Sequence, residues 1–367
     1  MKEIWIVVGV AFALAGLAIV APPVRAGETK AGGPYQVLAP IRNGNLTIFP
    51  VVAESTHDTG QFLTLDEGLR SGEVVVTEAG NAGPLVRPRP GHQIWNESPR
   101  RGAQVNQLVL INNSKRPLLL LAGEIVTGGK QDRVIGKDRL VPAESDPVDL
   151  SVFCVEPERW VARSEKFGAP MAMVQPSVRG KAMADKDQGK VWEQVGNARH
   201  SMAEVVTLES GATAAAPIRE SSSYASAVDN QAVKHQLDSV AAPLQQEYQS
   251  VTRQLREKHA VGVVVAVHGQ LIWADVFAST SLLEKYWPKL VRSYAAEIFS
   301  EQKGSAAVDV RAAQEFVDRL NGHREIVENE PGLYRHAEIS GAGYKVFALK
   351  SLLPNTGFDL HVAKMAD

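Results

Sequence analysis

The chain has 367 residues, 44% of them hydrophobic and 22% charged, with a formal net charge of −2 at pH 7. These are the proportions of a globular protein long enough for one large core or two ordinary ones. The near balance of charge gives no electrostatic ground for binding nucleic acid or an anionic membrane, and one cysteine excludes an internal disulfide.

In chain order, residues 1–26 come first and read as a secretory signal peptide. Lys2 precedes an apolar run over residues 4–21, and Val24 and Ala26 sit at the −3 and −1 positions that a signal peptidase reads. The run could span a bilayer if left uncut, since about 20 residues suffice. Gly9, Gly16 and the Pro22-Pro23 break favour cleavage, so contact with a membrane is expected only if the leader is retained. The rest is expected outside the cytoplasm, periplasmic or extracellular, and one charge unit more negative after loss of Lys2, Arg25 and Glu3.

Residues 27–160 form a β-rich part. Short β-branched runs at residues 46–52, 73–77 and 148–155 predict strands, and residues 107–111 and 117–122 predict a hairpin about Asn112-Asn113-Ser114-Lys115. Cys154 lies in an apolar run and reads as a small buried hydrophobe. A loop over residues 83–102 carries Pro84, Pro88, Pro90 and Pro99 with Arg87, Arg89, His92, Trp95, Arg100 and Arg101. It reads as a solvated loop, with a sugar, peptide or anionic-polymer surface as the sharper alternative.

Residues 161–260 change character. Helical spacing runs over residues 191–195 and 244–259, with Pro243 suited to a first turn. The Ala- and Ser-rich residues 211–226 read as an exposed connector, and the charges of residues 181–190 as solvated surface. This interval has little core of its own and is expected to embellish a single composite domain over residues 27–367.

Residues 261–367 form an α/β part. Residues 261–267 and 271–277 predict a hairpin turning at His268-Gly269. Ser281-Leu282-Leu283-Glu284 resembles a capping box, and Leu283, Trp287, Leu290, Tyr294 and Ile298 make the core stripe of a helix that Pro288 should kink or delay. A second helix is predicted over residues 310–320, ending at Asn321-Gly322, and strands near residues 333–339, 344–349 and 360–363 close the chain. The whole is predicted to be α+β: a largely antiparallel β-rich N-terminal part, a helical insertion and a mixed hairpin/helix C-terminal part.

No Gly-x-Ser-x-Gly elbow, His-Glu-x-x-His, Cys-x-x-Cys, P-loop or Gly-x-Gly-x-x-Gly occurs, and the nine histidines are scattered, so neither a metal nor a cofactor is implied. The densest polar segment is residues 122–133. Read as structure, it is a hairpin whose turn needs positive φ at Gly128 or Gly129. Read as a site, Thr127, Gly128 and Gly129 present free backbone amides beside Lys130 and Arg133, a seat for phosphate or carboxylate. Glu124 or Asp132 would then be the acid–base candidate. Glu156, Arg159 and Trp160 follow a strand end, either as an ion pair with a buried indole or as the second wall of that site.

Leu121-Ala122-Gly123-Glu124, Gly128 through Arg133, Phe153-Cys154-Val155-Glu156 and Arg159-Trp160 together resemble a bacterial domain family named for its association with ADP-ribosylglycohydrolase and rhodanese-phosphatase proteins. The resemblance is clearest over residues 35–160. It implies no activity; the association points only to nucleotide or ADP-ribose-like ligands.

Two functions follow. The first is an exported, non-catalytic protein that binds a small anionic molecule or an envelope component. The second is an enzyme acting on phosphorylated or nucleotide-like substrates.

Overall fold

The computed structural model describes residues 33–81, 107–300, 307–320 and 322–367. The leader, the loop over residues 83–102 and Asn321 lie outside the described residues.

The elements run β1 (Tyr35–Val37), β2 (Ile41–Asn43), β3 (Leu46–Ala53), β4 (Leu63–Thr64), α1 (Leu65–Ser71), β5 (Val74–Thr77), β6 (Gln107–Asn112), β7 (Leu118–Leu120), β8 (Ile125–Val126), β9 (Arg133–Ile135), β10 (Arg139–Val141) and β11 (Val148–Cys154). Then come α2 (Pro176–Gly180), a π-helical turn (Lys181–Asp185), α3 (Gln188–Ser210), α4 (Ala212–Glu220), α5 (Tyr224–Asp229) and α6 (Gln231–Arg253). The chain closes with β12 (His259–Val267), β13 (Gln270–Phe277), α7 (Thr280–Ala296), α8 (Val310–Asp318), β14 (His323–Glu330), β15 (Tyr334–Gly341), β16 (Tyr344–Ser351) and β17 (Asp359–Ala366). Helix and strand occur in similar shares and most strand pairs are antiparallel, an α+β fold.

The main sheet has the order β1-β3-β12-β13-β17-β16-β15-β14, with β2 on β3. Its strands come from both ends of the sequence, because β3 pairs along β12 from Leu46 opposite Val267 to Ala53 opposite His259. The β12–β13 turn has φ of 49° at His268 and 77° at Gly269, the left-handed pair that matches the twist of a two-residue hairpin. A five-stranded sheet, β5-β6-β11-β9-β8, and a three-stranded one, β10-β7-β4, hold most of the remaining N-terminal residues.

Several local expectations change. Residues 107–111 and 117–122 do not form a hairpin: β6 joins β5 and β11, whereas β7 joins β10 and β4. The buried Asn112 side chain donates to the Arg116 and Pro142 carbonyls and accepts from Ser114, turning the chain out of one sheet into the other. Residues 211–226 are not a loop but mostly α4 and the start of α5, with Tyr224 fully buried. Alanine is the best helix former, and its run needed only something to pack on. Pro243 sits inside α6 rather than in a first turn. The Ser239 carbonyl, deprived of a Pro243 N–H, accepts from Asn43 Nδ2 at 3.1 Å instead. Helix α7 is capped by Ser279, whose hydroxyl accepts from Leu282 N at 3.1 Å, so the cap lies two residues before the expected Ser281, and the helix continues through Pro288. Helix α8 ends at Asp318 with Arg319 as its cap residue, and Leu320 is exposed.

One large apolar cluster takes Ile48 from β3, Leu119 and Ile125 from the small sheets, Val195, Tyr224 and Leu244 from the helices of residues 161–260, and Leu290 and Phe347 from the C-terminal part. A second cluster, with Val76, Leu110, Val152 and Phe167, lies under the five-stranded sheet and supports the β8–β9 hairpin.

Candidate functional site

Strands β8 and β9 pair antiparallel, Val126 opposite Arg133, so residues 127–132 make the loop between them. Thr127 is tied to the neighbouring chain by two backbone bonds with Gly168, at 2.9 and 2.8 Å. Gly128 and Gly129 have φ of 135° and 48°. A Cβ on Gly128 would meet the Lys166 carbonyl at 2.9 Å and one on Gly129 the Phe167 ring at 2.2 Å, so both glycines are required by conformation and by space.

The amides of this bend already have acceptors. Gly128 N donates to Asp132 Oδ1 at 3.1 Å, Gly129 N to Ser164 Oγ at 3.4 Å, and Lys130 N to Glu78 Oε1 at 3.0 Å. The anions cradled by the glycine turn are the chain's own carboxylates. The expected open seat of free amides is therefore closed, because Asp132 and Glu78 fold back into it.

Around those carboxylates stands a ring of donors. Arg159 reaches Glu156 at 2.6 Å and Asp132 at 3.4 Å, and its other terminal nitrogen donates to the Gly129 carbonyl at 2.7 Å. Arg163 reaches Glu156 at 3.1 Å. Glu156 also accepts from Asp132 N at 3.1 Å, and the Ser223 hydroxyl donates to Asp132 Oδ2 at 2.8 Å. Burial and then the neighbouring Glu156 charge raise the Asp132 pKa above the usual carboxylate range.

The periphery is different. The Lys130 ammonium lies 5.0 Å from the centre of the Trp160 ring, within cation–π range. Trp160 is 43% exposed, so it is a surface indole and not the buried one that a purely structural pair would hold. The Arg163 side chain is 53% exposed, and Val161 beside it is also exposed.

Of the residues singled out in the sequence, Thr127, Gly128, Gly129, Lys130, Asp132, Glu156, Arg159 and Trp160 gather here. Arg133 does not face outward. It is fully buried in β9, and burial lowers its pKa although the Glu78 carboxylate nearby opposes that shift. Cys154 is also fully buried and its thiol is pushed up, which makes it inert. Glu124 lies elsewhere: its side chain is 1% exposed and accepts from Leu121 N at 2.6 Å and from Lys289 at 2.5 Å. Lys289 also meets Asp66 at 2.5 Å and is held charged by the two carboxylates. Glu124 links the β-rich part to α7 and touches no solvent.

Sequence reasoning missed Glu78, Arg163, Ser164 and Ser223. Ser223 had a signal, since it caps α5 by accepting from Ser226 N at 3.0 Å, and serine just before a helix is a familiar cap. The other three sit in irregular chain where no spacing marks them.

A second ionic cluster lies wholly inside. His361 Nδ1 meets Asp138 at 2.5 Å and its Nε2 meets Asp275 at 3.0 Å; Asp275 meets Arg179 at 2.9 Å and accepts from the Tyr294 hydroxyl. With a carboxylate on each ring nitrogen, both must donate, so the imidazole is cationic. Burial opposes that charge, but Asp138 and Asp275 outweigh it and raise the His361 pKa, while Arg179 and His361 hold Asp275 well below the carboxylate range despite its burial. Gly123, at φ 93°, leaves the room in which Arg179 passes; a Cβ there would meet Arg179 Cδ at 2.9 Å.

With this geometry in view, the family model for the ARG and Rhodanese-Phosphatase-superfamily-associated Protein domain matches residues 34–362. The chain belongs to this family. The matched span covers nearly all the described residues, from β1 to β17, and includes both ionic clusters. No curated protein and no solved structure matches the chain. Among the described residues no three of His, Cys, Asp and Glu are grouped so as to hold a metal ion, and no helix is long and apolar enough to cross a membrane.

Proposed function

We propose that this family member is an exported, non-catalytic binding protein, and that Lys130, Trp160 and Arg163 form a face for a small anionic molecule or an anionic envelope component. The observation that carries it is the division of labour in the hairpin cluster. Every carboxylate oxygen of Asp132 and Glu156 is engaged by backbone amides, Arg159, Ser223 or the inner side of Arg163, whereas the Lys130 ammonium lies over an exposed indole and the Arg163 side chain stays half exposed. A flat ring and two outward cations suit a planar group carrying negative charge, by stacking and by charge-assisted hydrogen bonds. The leader pattern of residues 1–26 supports export.

The enzyme alternative keeps one supporting feature, the raised Asp132 pKa beside Glu156. Against it, both acid–base candidates are buried, and every oxygen of Asp132 and Glu124 already has a protein partner. A general acid or base must reach its proton directly or through one water.

The test is a titration of the mature chain with ADP and with inorganic phosphate, followed by tryptophan fluorescence and calorimetry. Saturable ADP binding is expected, weakened roughly tenfold by Lys130→Ala or Arg163→Ala, the loss of about one charged contact. Trp160→Phe should remove most of the fluorescence change. Absence of saturable binding, or binding indifferent to all three substitutions, would sink the proposal. Turnover of ADP abolished by Asp132→Asn would shift it to the enzyme class.

A further inference from the structure

A cleft of about 720 Å³ lies on another face, between the π-helical turn Lys181–Asp185, the first half of α3, and the outer ends of β13 and β17. Its size falls in the usual range for small-molecule sites, roughly 300–1,000 Å³. We propose that this cleft binds a neutral, polyhydroxylated ligand of mono- or disaccharide size.

Three features point to that class. The first is the donor set. Gln175, Gln194, Asn197 and Gln270 line the cleft. Each side-chain amide offers a donor pair and an acceptor, the combination that pairs with adjacent hydroxyl groups. The second is charge. Lys181 at the cleft wall is matched by Asp185 at 3.2 Å, Asp185 is shared with Lys190 at 3.3 Å, and Asp367 adds negative charge to the lining, so the cleft does not favour an anion. Leu271, Ile272 and Met365 supply apolar surface for the C–H face of a ring.

The third feature is unsatisfied polarity in the wall. Glu297, 1% exposed, accepts from Ser177 N at 2.8 Å through one oxygen, and its Oε1 has no hydrogen-bond partner among the described residues. Trp273, also 1% exposed, lines the same cleft with Nε1 likewise unpartnered among the described residues. Buried polar atoms in native proteins mostly have partners, and here two residues of one cleft wall each hold an atom without one among the described residues. Burial raises the Glu297 pKa above its ordinary value. Against this wall stands a π-helical turn, a rare element found frequently at functional sites.

The experiment uses the mature chain with two probes, maltose and N,N′-diacetylchitobiose, followed by calorimetry and by amide-resonance shifts. Saturable binding of at least one disaccharide is expected, weakened at least tenfold by Gln194→Leu together with Asn197→Leu. Both positions are solvent-facing on α3, and unchanged circular dichroism would verify the fold. Lys130→Ala should leave disaccharide binding unaltered, which separates this site from the anionic face. No saturable response to either probe up to tens of millimolar overturns the proposal, as does binding that survives the double substitution. Binding lost in Lys130→Ala overturns it too, because the ligand would then sit on the other face.

Discussion

The two ionic clusters of this protein use the same chemistry and reach different ends. In the interior, Asp138, His361, Asp275 and Arg179 alternate anion and cation, and each is essentially inaccessible. At the hairpin, Asp132, Glu156, Arg159 and Arg163 also alternate, but accessibility rises outward from about 1% at Asp132 to 14% at Arg159 and 53% at Arg163. Desolvation is what separates them. Charges removed from water must satisfy one another almost completely, so the interior chain has its main charges paired and binds together β13, β17, α2 and the loop before β10. The hairpin cluster keeps its outer cation wet, where pairing is worth little to the fold.

Breaking the interior chain should therefore produce the largest loss. Asp275→Asn removes the anion shared by Arg179, His361 and Tyr294 and leaves a buried guanidinium short of its counter-charge. A loss of about 3–5 kcal/mol is expected, read by urea denaturation at neutral pH. A loss under about 1 kcal/mol would mean that water reaches this site and that the contrast between the clusters is not one of desolvation.

The second test is pH. A histidine whose folded pKa lies above its unfolded value near 6.5 stabilises fully below that value and loses its contribution as pH climbs through the folded pKa. His361 is raised, so its contribution should decline on the alkaline side of neutrality. His336 has the opposite sign: burial lowers its pKa, so its contribution is present above the unfolded value and is lost as pH falls from there through the lower folded pKa. The readout is thus the difference between wild type and His361→Gln in denaturation midpoint from pH 6 to 9, a window set by that unfolded value of about 6.5. The gap should narrow as pH rises; a constant gap would show that His361 does not carry the charge.

Much of the sheet was legible because its strands are β-branched runs bounded by turns, as in β3 and the β12–β13 hairpin, and the stripe Leu283, Trp287, Leu290, Tyr294 is buried as its spacing predicted. Strand β14 was not legible, since nearly every side chain in it is exposed and charged or polar, with no alternation to read. The hairpin site was half legible. Gly128, Gly129, Lys130, Asp132, Glu156 and Arg159 stand close in sequence and converge, whereas Ser223 arrives from 91 residues away. Nor could spacing reveal the interior chain, in which His361 meets Asp138 across 223 residues. Sequence also misplaced Glu124 and Arg133 as site residues, because a charged side chain next to glycines looks the same whether it points out or in.

Ser223→Ala examines the link between α5 and the hairpin. It removes the hydroxyl bonded to Asp132 and the cap on Ser226 N together. A cost of about 1–2 kcal/mol is expected from the two bonds, measured by thermal and urea unfolding. Because the hydroxyl also helps to keep Asp132 ionised, the Asp132 pKa should rise further, visible by carboxyl NMR. An unchanged carboxyl titration would show that α5 does not hold the Asp132 side chain.

The smallest effect is expected at the outer edge and sharpens the comparison most directly. Arg163→Ala should change stability by no more than about 0.5 kcal/mol, because an exposed guanidinium gives up little on leaving an ion pair. Arg159→Ala, one turn of chain earlier, should cost several times more. It strips Glu156 of a 2.6 Å partner, frees the Gly128 carbonyl and leaves the Gly129 carbonyl with the Arg163 amide alone. The two arginines share Glu156, so a double-mutant cycle with Glu156→Gln in urea isolates each coupling. A strong Arg159 coupling with a weak Arg163 coupling is the pattern that access to water dictates. Equal couplings would mean that Arg163 is a strut of the hairpin like Arg159, and the anionic face would then lose one of its two cations.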